Sequence, residues 1–149
     1  MTNKFIIYLT IIISTALITQ GCKPKSVEPK EKTALELQLE ALMNNGTSWG
    51  LNGGTVMKDD YDVTSQFAGF TLTIGEFTYT TQNALATTWP STGTWQFVND
   101  NPSKVVRDDG IEIDVTPSNG QLKLSFSVTN LGGKITGING IYEFFLTSN

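Results

Sequence analysis

Residues 111–128 read IEIDVTPSNGQLKLSFSV. Ile111, Ile113 and Val115 alternate with Glu112 and Asp114, and Leu122, Leu124, Phe126 and Val128 alternate with Lys123, Ser125 and Ser127. A period of two places one set of side chains on each face of an extended strand. Between the two runs, Ser118-Asn119-Gly120 supplies residues that tolerate positive φ, the signature of a tight hairpin. The stretch predicts two antiparallel strands with one wet face and one buried face.

The same alternation extends outward in both directions. Upstream it runs through Phe70-Leu72-Ile74, Phe77-Tyr79 and Trp95-Phe97, and downstream through Tyr142-Phe144-Leu146. The opposite faces carry Thr71, Thr73, Thr78, Thr80, Gln96 and Glu143. Asp108-Asp109-Gly110 is a second turn, and Gly132-Gly133 with Gly137 through Gly140 marks a last hairpin or a bulged strand. Connections this short join neighbouring strands, so the expected fold is all-β: an antiparallel up-and-down barrel of about eight strands, whose closure leaves no open sheet edge. No repeat of fixed period points to a solenoid or propeller.

Ahead of the strands, Thr33 followed by Glu36 matches a capping box. Leu35, Leu39 and Leu42 then fall on one face of a short helix that Asn44, Asn45 and Gly46 terminate. Such a helix can lie across an open barrel end as a lid or pack on the outside as support, the plainer arrangement. Residues 33–149 thus form one domain of helix and barrel.

The beginning of the chain has a different character. After MTNK comes an apolar segment, Phe5 to Ile18, and then TQGC, ending in the only cysteine, Cys22. As a helix the apolar segment reaches about 21 Å, short of a hydrocarbon core of roughly 30 Å, which suits a cleaved export signal better than a permanent span. Gly21-Cys22 resembles the end of a bacterial lipobox, although Thr19 stands where an aliphatic residue is usual. The expectation is a signal peptide over 1–21 and acylation of Cys22. Two acyl chains suffice for stable membrane attachment. Residues 22–32, ending KPKSVEPKEK, read as a lipidated tether. No acidic residue follows Cys22 directly, so the expected address is the bacterial cell envelope, at the periplasmic face of the outer membrane.

Composition excludes several chemistries. There is no histidine, so Ser-His-Asp and Cys-His catalysis and His-ligated metals are ruled out. Acidic residues outnumber basic ones, fourteen to ten, which makes nucleic acid a poor partner. Asp60-x-Asp62-x-Thr64 is followed by Ser65 where a calcium loop requires glycine, and no glutamate closes it. These aspartates are expected in turns, with Asp62 or Thr64 capping a short helical turn before Phe67. Glu76, Glu112 and Glu143, the glutamates of the barrel region, do not form an inward pair. The expectation is a non-enzymatic protein with no metal and no cofactor.

Trp49 in NGTSW, then DYDVTSQFAGFTLTI, EFTYTT, WPSTGTWQF, VVRDDGIEIDV, QLKLSFSV and IYEFFL together resemble the small lipocalin-like domains of bacterial lipoproteins. The resemblance implies a barrel enclosing a small apolar ligand, with a first-strand tryptophan beside a basic side chain, a pairing that Trp49 and Arg107 match. From the residues themselves, Phe70, Phe77, Tyr79, Trp95, Phe97, Phe126, Tyr142 and Phe144 point inward, and such rings either line a pocket or fill the interior. Trp89, beside Pro90 in a loop, is a candidate surface contact or a cover for one barrel end. Phe145 is expected to face outward.

Two functional readings follow. In the first, a membrane-anchored barrel binds a small apolar or amphipathic ligand or a peptide through Trp49, Tyr79, Trp89, Trp95 and Tyr142. In the second, a filled barrel serves as an accessory subunit of an envelope complex and works through its outer surface.

Overall fold

The computed structural model describes residues 30–129 and 137–149. The expected signal peptide, Cys22, most of the tether and Gly132-Gly133 lie outside the described residues. Lys32–Asn149 forms one compact unit.

Helix α1, Ala34–Met43, opens as its sequence requires. The Thr33 side chain accepts the Glu36 N–H, and the Glu36 carboxylate accepts the Thr33 N–H at 2.7 Å. Asn44 ends it in a left-handed conformation, and Asn44–Gly46 makes one 3-10 turn. Among the described residues nine strands follow: β1 Trp49–Lys58, β2 Tyr61–Asp62, β3 Thr71–Gly75, β4 Thr78–Gln82, β5 Thr92–Val98, β6 Asn101–Arg107, β7 Glu112–Ser118, β8 Gln121–Val128 and β9 Gly140–Ser148.

From β3 to β9 each strand pairs antiparallel with the next, and β1 pairs with both β3 and β9. The ring therefore closes as an eight-stranded up-and-down barrel, with the two-residue β2 hanging from β1. The Asn119-Gly120 turn adopts φ of 48° and 74°, joining Ser118 to Gln121 as its sequence predicts. Inward positions of β7, β8 and β9 are buried in strict alternation through Ile113, Val115, Leu122, Leu124, Phe126, Tyr142, Phe144 and Leu146.

Closure depends on an irregular first strand. Gly50 pairs with Thr147 and Thr55 with Phe145, so β1 uses three residues more than β9 over the same interval. The excess forms a bulge at Leu51–Gly54. At Gly54 a β-carbon would collide with the Phe145 carbonyl oxygen, so the close approach of the two strands demands glycine there.

Helix α1 contacts β3 on one side and β6 and β7 on the other. Those strands are separated in the ring by β4 and β5, so the helix spans a barrel end. It is a lid, not the outside support favoured as the plainer arrangement. The reason lies in Leu42, which is buried and descends into the barrel mouth, where the Trp49 indole N–H donates to its carbonyl at 2.8 Å. At the opposite end, the 3-10 turn Thr64–Phe67 swings Phe67 into the interior. Asp62 accepts the Thr64 N–H at 2.8 Å as that turn begins.

One inward expectation is corrected. Phe77 is 44% exposed, because it occupies the β3–β4 turn with φ of 57° and lies outside the alternating register. It leans on Trp95 at 5.5 Å from the outer rim.

Candidate functional site

The barrel interior is filled by aromatic rings. Phe67, Phe70, Trp89, Phe126 and Phe144 pack with ring centroids 5.0 to 6.3 Å apart, mostly edge to face. Burial of each such ring stabilises the fold by a few kcal/mol. The space left over is a void of about 30 Å³ beneath Leu42, bordered by Tyr79, Trp89, Trp95, Arg107 and aliphatic side chains. That holds about one water molecule, where ligand pockets run from about 300 Å³ upward.

All five residues named as ligand contacts are packed core. Trp49, Tyr79, Trp89, Trp95 and Tyr142 are each less than a tenth exposed. Tyr79, Trp89 and Trp95 meet around the void. Trp49 is tied to the lid, whereas Tyr142 stacks on Phe126 at 5.7 Å and donates to the Ile138 carbonyl at 2.8 Å. The Tyr79 ring lies against Gly93, whose missing side chain makes room for it, and burial raises the phenol's pKa against the opposing field of Arg107.

Trp89 is not on the surface. Its loop turns back, with the N–H groups of Thr88 and Trp89 both donating to the Leu85 carbonyl, and delivers the indole into the barrel. There it meets Arg107, whose guanidinium sits 4.7 Å from the indole centroid and 5.7 Å from that of Phe126. The tryptophan that meets Arg107 in this fold is thus Trp89 of the loop and not Trp49. Arg107 is almost wholly buried and spends its donors on the Asp109 carboxylate, at 3.1 Å from Nε, and on the Thr88 carbonyl, at 3.3 Å. Around this plug three buried polar atoms have no hydrogen-bond partner among the described residues: Tyr79 Oη, Thr88 Oγ1 and Trp89 Nε1. Sequence reasoning did not place Arg107 inside, although counting two residues on from inward Val105 puts it there.

The outer surface offers more room. A depression of about 430 Å³ runs over β7, β8, β9 and the β1 bulge, and Phe145 lies in it, 37% exposed as expected of an outward residue. Lys123 Nζ sits 5.1 Å from the Phe145 ring and pairs with Glu143 at 2.7 Å. On the next strands Lys104 bridges Glu112 and Asp114, and Asp114 raises its pKa. Among the described residues no cluster of His, Cys, Asp or Glu is arranged to hold a metal ion, and no helix is long and apolar enough to cross a membrane.

No known protein family, curated protein or solved structure matches the chain. Any functional reading therefore rests on the geometry above.

Proposed function

We propose that the chain is a lipid-anchored, non-enzymatic lipoprotein of the bacterial envelope whose filled, lipocalin-like barrel works through its outer surface. The observation that carries this reading is the interior void of about 30 Å³, an order of magnitude too small for a lipid or a drug-sized ligand. The depression over β7, β8, β9 and β1 is more than ten times larger. The competing reading, an apolar ligand held inside by Tyr79, Trp89 and Trp95, requires α1 to lift and Leu42 to leave the mouth.

Titration with cis-parinaric acid separates the two. A surface-acting barrel gives no saturable fluorescence change, and a 1:1 isotherm overturns the proposal. The anchor is checked by labelled palmitate, whose incorporation is expected to vanish in Cys22→Ser.

A further inference from the structure

We infer that the depression beside the β1 bulge is a binding site for a neutral oligosaccharide, an inference that rests on the outer-surface reading and names its ligand class. Four kinds of side chain meet there, and their combination selects the chemistry. Thr55, Thr116, Ser118 and Thr147 supply hydroxyls from β1, β7 and β9, and Gln121 adds an amide that both donates and accepts. Phe145 supplies a ring with no polar atom of its own, a face on which the C–H side of a sugar can stack. Lys123 sits beside that ring in an ion pair with Glu143, so the pair brings donors and acceptors but no net charge. Gly53, with φ of 78° and open space where a side chain would stand, lets a ligand approach the backbone of the bulge.

Other occupants fit less well. A peptide added as an extra strand needs a free edge, and β1 and β9 are already paired with each other here. An apolar ligand would cover the Thr55, Thr116 and Ser118 hydroxyls and the Gln121 amide without offering them a partner, the Thr147 hydroxyl already donating to the Asn52 carbonyl. Across the four strands the strip measures about 14 Å at the usual strand spacing, about three hexose units.

The test uses the full chain, isotope-labelled, in a sugar-free phosphocholine detergent, with maltohexaose, cellohexaose, xylohexaose and chitohexaose as separate probes. At least one should shift the amides of Thr55, Lys123 and Phe145 saturably, with Kd of about 1 mM or tighter. Phe145→Ala should weaken that binding about tenfold, whereas Tyr61→Ala, an exposed aromatic on β2, should leave it unchanged. Gln121→Ala provides a second, surface-only variant expected to weaken it in the same direction. Absence of saturable shifts with all four sugars, or equal weakening by Tyr61→Ala, overturns the inference. If the sugars fail while cis-parinaric acid also fails to bind, only the ligand class falls. A 1:1 parinaric acid isotherm removes the outer-surface reading itself.

Discussion

At the α1 end the barrel is sealed by an added element, and at the other end by its own β4–β5 loop turned inward. The lid end is apolar: one leucine descends into the mouth, and the Trp49 and Trp95 indole N–H groups find the Leu42 and Thr78 carbonyls. The loop end is polar within. It buries a guanidinium between two aromatic faces, pairs it with Asp109, and leaves Tyr79 Oη, Thr88 Oγ1 and Trp89 Nε1 without partners. Among the described residues the lid end shows no such unpartnered group. The difference teaches that the loop end is specified by a buried cation and its partners, while the lid end is held by apolar burial of Leu42 and a hydrogen bond from Trp49.

The sharpest way to break this contrast is Trp89→Ala, which removes the ring that four aromatic neighbours and Arg107 surround. A loss of about 4 kcal/mol is expected in urea unfolding. A loss under about 1 kcal/mol would mean the loop is a dispensable cover. Asp109→Ala comes next, at about 3 kcal/mol, because it strands a buried cation although the aspartate itself sits in a solvent-facing turn. Its Asp109→Asn counterpart should recover part of that loss by keeping an acceptor. Leu42→Ala at the lid end should cost about 2 kcal/mol, and amide exchange should quicken in α1 before it quickens in the strands. Equal quickening throughout would show that the lid and barrel open together.

The smallest effect concerns the turn that seats Phe67 at the loop end. Hydrogen bonds from Thr64 hold the Asp62 carboxyl below the ordinary aspartate range. A carboxylate depressed in the folded state stabilises above its unfolded pKa, and that contribution disappears as pH falls through the lowered value. A carbon-13 titration should find the Asp62 midpoint below that of an ordinary aspartate, moving up in Thr64→Ala.

Most of the strand framework was legible because alternation survives wherever one face of a strand is wet, as in β7, β8 and β9. The capping box at Thr33 and Glu36 and the Asn119-Gly120 turn were legible for the same local reasons. What escaped were positions where tertiary contacts override local pattern. Trp89 has no periodic neighbours, so nothing near it in sequence signals that a buried Arg107 waits to receive it. Phe77 satisfies the alternation yet lies in a turn. Gly53-Gly54 reads as an interruption of β1, and only the pairing with β9 shows that the interruption is a bulge bordering the largest depression described. Tyr79, Trp95 and Tyr142 are aromatic and inward in the strand pattern, which is equally the description of a core.

Ring closure also governs the order in which the molecule can assemble. The Asn149 side chain donates to the Ser48 hydroxyl at 2.6 Å across 101 positions of sequence, next to the Trp49–Ser148 pair that joins the first strand to the last. The hairpins from β3 to β9, and the pairing of β1 with β2 and β3, can form from near neighbours, but β1 meets β9 only when that long loop is closed, and contacts of such range slow folding. Until then β1 and β9 are two open edges on one nascent sheet, so a stalled or truncated chain is the species most exposed to pairing with another copy of itself.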